Sequence, residues 1–115
     1  MTDSYRSPGK TTLSPEVLLT ITRMTALGVE GVSRLAPVQG GFDRILKHGV
    51  DNGVRMTIED DMVYIELYVI LKKDFNVREV GRNIQVQVAR AISEMVGMEV
   101  GHVIIHVEDI EYKDE

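Results

Sequence analysis

The stretch Val54-Arg-Met-Thr-Ile-Glu-Asp-Asp-Met-Val-Tyr-Ile-Glu-Leu-Tyr-Val-Ile-Leu71 decides the fold. Val54, Met56 and Ile58 alternate with Arg55, Thr57 and Glu59, and Val63, Ile65, Leu67, Val69 and Leu71 alternate on the return. Successive side chains of a strand point to opposite faces, so this pattern gives each strand one apolar face. Asp60-Asp61 makes a tight polar connection, and the whole reads as a hairpin with one buried side. The other face of the return strand carries Tyr64, Glu66, Tyr68 and Ile70, which is less polar than a simply solvated face.

Downstream, the period changes from two to 3.6. Val77, Val80, Ile84, Val88, Ala91, Ile92 and Met95 form an apolar stripe that predicts a helix over 77–96, capped by Asn76 and stopped by Gly97. Arg82, Glu79, Arg90 and Ser93 lie opposite, with Val86 among them. A last strand over 100–107 sets Val103, Ile105 and Val107 toward the core and Ile104, His106 and Glu108 away from it. Upstream, Ser14-Pro15-Glu16 starts a helix that ends at Leu27-Gly28, with Ser14 as its cap. Its stripe is Val17, Leu18, Ile21 and Met24, which leaves Leu19 and Ala26 on the opposite side. Val29 to Leu35 reads as a short strand closed by Pro37, and Lys10 to Leu13 as a short edge strand. The stretch 38–52, with Gly40-Gly41 and a helical turn around Asp43 to Lys47, takes no assignment.

The order is (β)-α-β-β-β-α-β. One apolar stripe per helix and one apolar face per strand predict an α+β two-layer sandwich, both helices packed on one face of a mostly antiparallel sheet. At 115 residues the chain suits one domain over 9–112, with a polar tail at 1–8 and an acidic tail at 113–115. The other sheet face holds Tyr64, Tyr68, Ile70 and Ile104 with no third layer to cover it. With Leu19, Ala26 and Val86 on the helices, these residues form the candidate interaction surface.

The chain offers little for chemistry. There is no cysteine, hence no disulfide framework and no thiolate metal site. His102 and His106 stand four residues apart on a strand, roughly 13 Å, too far to share a metal ion. The sequence has no nucleophile elbow, no phosphate loop and no dinucleotide fingerprint, so neither catalytic nor cofactor-binding residues are expected. The net charge of −5 argues against nucleic acid. No apolar run approaches the roughly 18 residues that cross a membrane, so direct membrane insertion is not expected.

From Asn76 onward the chain resembles a known family. Val77-Arg-Glu-Val-Gly-Arg-Asn-Ile-Gln-Val-Gln-Val-Ala-Arg-Ala-Ile-Ser-Glu-Met-Val-Gly97, then Met98-Glu-Val and Val103-Ile-Ile-His-Val-Glu-Asp-Ile110, resembles the alkaline-shock-protein family of bacterial envelope-stress proteins. Ser14-Pro-Glu-Val17 and Val29-Glu-Gly-Val32 match its early helix and the element after it. Leu71-Lys-Lys-Asp74 departs from the glycine-containing turn that members often carry there. The resemblance implies a cytoplasmic, non-enzymatic scaffold or adaptor of envelope homeostasis. Such a protein would self-associate as a homo-oligomer and be held at the inner membrane face by a membrane-anchor protein. The alternatives are a small RNA-binding module, with Tyr64 and Tyr68 beside Arg78, Arg82, Lys72 and Lys73, or a regulator binding a metabolic enzyme.

Overall fold

A computed structural model of the chain describes residues 13–38, 49–51 and 53–112. The elements are α1 (Pro15–Leu27), β1 (Val32–Leu35), β2 (Gly49–Asp51), β3 (Val54–Glu59), β4 (Met62–Lys72), α2 (Val77–Val96) and β5 (Glu99–Glu111). The expected α+β order is present, with β2 added inside the unassigned stretch. The tails, the edge strand begun at Lys10, the turn around Asp43–Lys47 and His48 lie outside the described residues. Leu13 itself precedes the helix without strand structure.

The hairpin forms as its alternation predicts, with Val54 opposite Leu67, Met56 opposite Ile65 and Ile58 opposite Val63. Asp60 and Asp61 both take positive φ, at 53° and 66°. That is the left-handed pair a two-residue hairpin turn requires, and aspartate tolerates it. β4 is the spine of the sheet. Its first half pairs with β3 and its second half with β1, both antiparallel, so these two strands lie end to end along one edge. β2 extends the sheet beyond β3, and β5 runs parallel along the whole opposite edge of β4.

Two bulges set which side chains of β5 face the core. Val63 pairs with Val100 but Tyr64 with His102, so Gly101 is extra; Val69 pairs with Val107 but Ile70 with Asp109, so Glu108 is extra. An added residue breaks the two-residue alternation. Val100 and Val103 therefore both face inward, as do Val107 and Ile110, while His102, Ile104 and His106 face outward.

Both helices cover the inward face: Leu18 and Leu19 of α1 and Val80, Ile84, Val88 and Ile92 of α2 share one core with Val54, Met56, Val63, Ile65, Leu67, Val69 and Leu71. The buried positions of α2 recur every four residues, as a packed helix face does. Val77 and Met95 lie on the same stripe but at the helix ends, and both are exposed. Asn76 caps α2 by accepting the Glu79 amide at 2.9 Å, and Gly97 ends it in the left-handed conformation.

Three expectations need correction. Ser14 does not cap α1 through its hydroxyl; the Val17 amide reaches its backbone carbonyl instead. The strand expected from Val29 begins only at Val32, because Val29 to Gly31 form a turn with Gly31 at φ 99°. The third concerns the rotation of α1. Leu19 and Ala26, expected on its outer side, are buried with Leu18 and Thr22, while Val17 and Met24 are exposed, Met24 to 66%. Hydropathy favours the larger Met24, but the small Ala26 and Thr22 let the helix lie close to its neighbours. Close packing, not hydrophobicity alone, sets the buried face.

Candidate interaction surface

The outward face of the sheet is built from the even-numbered residues of β4 and the outward residues of β5, which the two bulges put side by side. Tyr64 lies opposite His102, Glu66 opposite Ile104, and Tyr68 opposite His106. The Tyr68 and His106 rings stack with centroids 4.4 Å apart and planes within 13°. Tyr64 and His102 are tilted, with centroids 5.0 Å apart. A β-carbon at Gly101 would stand 2.2 Å from Cε1 of Tyr64, so the ring occupies the space that glycine leaves free.

Glu66 links the tyrosine to the histidine. Its Oε1 accepts a hydrogen bond from the Tyr68 hydroxyl at 3.0 Å and lies 3.2 Å from Nε2 of His106. Burial raises the pKa of the Tyr68 hydroxyl above its ordinary value. The hydrogen bond to Glu66 and the charges of Glu66 and Glu108 raise it too, and Arg55 opposes them. At the far end of the face the Glu111 carboxylate accepts from Ser33 and pairs with Arg34 at 3.3 Å, tying β1 to β5 across β4.

The structure places the seven candidate surface residues differently. Tyr64, Tyr68, Ile70 and Ile104 share the open face. Tyr68, only 6% exposed, and Ile70 are buried in a small cluster with Ala36, against which Val38 packs. The segment after β1 thus covers one end of a face expected to be bare. Tyr64 stays half-exposed, Ile104 is 39% exposed and His102 is exposed. Leu19 and Ala26 belong to the core. Val86 is exposed on the outer side of α2, away from the sheet face.

The alternation of the last strand places His106 with Ile104 on the outer face, but it does not reveal that His102 and His106 lie against Tyr64 and Tyr68. The bulge at Gly101 lets Val100 and Val103 both face inward and brings His102, rather than Gly101, opposite Tyr64. A glycine at the start of an otherwise valine-rich strand was the available signal.

A family model for the ASP23 family (alkaline shock), described as having a cell envelope-related function, matches residues 4–112. YloU of Bacillus subtilis (strain 168) is 26% identical over 106 residues, covering 89% of this chain and 88% of its own. Spy1535 of Streptococcus pyogenes serotype M6 is 36% identical over 103 residues, covering 89% of this chain and 79% of its own. Among solved structures, a substituted MamM CTD in its copper form superposes with a TM-score of 0.53 at 13% identity, covering 85% of this chain and all of that one. That likeness is one of fold.

Proposed function

Because the chain belongs to the ASP23 family, with its cell envelope-related function, we propose that it is a non-enzymatic scaffold or adaptor in envelope homeostasis and stress response. It associates with itself and with partner proteins through the open face of its sheet. One partner is a membrane-anchor protein that holds it at the inner face of the membrane. Among the described residues no helix is long and apolar enough to cross a membrane, which is in keeping with an anchor supplied by another protein.

The observation that carries this reading is the uncovered half of the sheet face. Ile104, Tyr64 and His102 combine apolar and aromatic area with polar tips, the composition that protein interfaces favour. Ile104 is the better probe of it, since a charge at the buried Tyr68 would unfold the chain before it tested binding.

The test is Ile104→Asp, with native mass by light scattering and a pull-down from the protein's own cells in which bound proteins and nucleic acid are both identified. The variant is expected to keep its circular dichroism and melting profile while losing self-association and the anchor protein. A folded variant that assembles and binds as before sinks the proposal, and so does bound RNA in place of protein.

A further inference from the structure

The outer face of α2 carries a charge arrangement that the helix does not need and that works against it. Arg78, Arg82 and Arg90 are all exposed, and among the described residues none of them makes a hydrogen bond or ion pair. Arg78 sits in the first turn, where the helix dipole disfavours a cation, and four residues before Arg82, where like charges repel. The last turn holds Glu94 and no basic residue, so that end is also reversed. Cations left unpaired at a local cost, in a chain of net charge −5, point to neutralisation from outside.

Beside Arg82 and Arg90 runs a shallow open groove, lined from α2 by those two arginines, Val86, Glu94 and Met95 among others and from α1 by Thr25. Val86 is 52% exposed and Met95 68%, so apolar surface lies directly between and beyond two guanidinium groups. Arginine binds carboxylates through its planar fork, and an apolar floor favours a partner with aliphatic side chains.

We propose that this groove docks an acidic, amphipathic segment of a partner protein, its carboxylates on Arg82 and Arg90 and its apolar residues on Val86 and Met95. The inference rests on the reading of the chain as a protein-binding scaffold, but uses a surface separate from the sheet face. Two guanidiniums outnumber the single carboxylate of Glu94 in the lining, and that positive balance selects this occupant. Three guanidiniums are too few to hold an acidic chain on an anionic bilayer, and among the described residues no aromatic ring lines the groove to stack a base.

The experiment places photoreactive benzoylphenylalanine at Gln87, in the groove but outside the proposed contacts, in the full chain in its own cells. The cross-linked peptide is identified by mass spectrometry. The expected adduct is a peptide of net negative charge, with yield down about tenfold or more in Arg82→Glu/Arg90→Glu, restored when the partner's carboxylates become lysines, and unchanged by Ile104→Asp. An adduct of lipid, RNA or a second copy of this chain overturns the proposal. So does no adduct, or a yield insensitive to the charge reversal. If Ile104→Asp fails its own test while this adduct forms, the sheet-face reading falls and the groove stands.

Discussion

Gly101→Ala tests whether the Tyr64 ring holds its place because glycine is beneath it. The added β-carbon would lie 2.2 Å from Cε1, 2.7 Å from Cδ1 and 3.0 Å from Cζ of Tyr64. To regain an ordinary contact of about 3.5 Å the ring must retreat by roughly 1.3 Å. Tyr64 is half-exposed and has somewhere to go, so the cost falls low in the range for overpacking, about 1.5–2 kcal/mol. Gly101 does not have positive φ, so alanine fits the backbone and recovers about 0.5–1 kcal/mol of conformational entropy. The net loss is about 1 kcal/mol, near 4 °C in melting temperature for a chain of this length. In a Tyr64→Ala background the clash disappears, and the same substitution should stabilise by about 0.5 kcal/mol. The assay is a double-mutant cycle by urea unfolding, with an expected coupling of about 1.5 kcal/mol. Effects additive to within about 0.5 kcal/mol would refute the idea that ring and glycine are locked together.

Two further outcomes follow from polar groups in apolar places. The Thr22 hydroxyl is fully buried and has no hydrogen-bond partner among the described residues, so Thr22→Val, which keeps the shape, should stabilise by about 1 kcal/mol. The urea midpoint should rise at constant slope; an unchanged or lower midpoint counts against it. The raised pKa of Tyr68 means that the fold favours the neutral hydroxyl. That stability is fully present below the ordinary tyrosine value of about 10 and is lost as pH climbs through the higher folded value. Tyr68→Phe loses the hydrogen bond to Glu66, so the variant should be less stable than the parent at neutral pH, the gap closing in alkali. A gap that widens in alkali shows that the sign is wrong.

The hairpin was legible because alternation along one strand needs no knowledge of any other. α2 was legible because four buried aliphatics, a cap and a stop all agree. What the periodicity of single elements could not give was their fine rotation and register against one another. The rotation of α1 is set by which of its residues are small enough for close approach, so Ala26 displaced Met24. The pairs Tyr64–His102 and Tyr68–His106 are set by a register that the bulge at Gly101 shifts. The cover over Tyr68 and Ile70 comes from Ala36 and Val38, in a segment with no periodic pattern of its own.

The central position of β4 bears on how the chain is made. Its hairpin partner is the strand just before it, joined by a two-residue turn, so this pair can form as soon as both have left the ribosome. β5, which runs the full length of the other edge, is synthesised only after all twenty residues of α2. Throughout that interval β4 presents a long, aliphatic, hydrogen-bonding edge to its surroundings. Two unfinished copies on neighbouring ribosomes would find in each other's β4 the partner that neither chain has yet produced. Translation speed through α2 and the holding chaperones near the tunnel exit thus become determinants of yield that the finished fold no longer reveals.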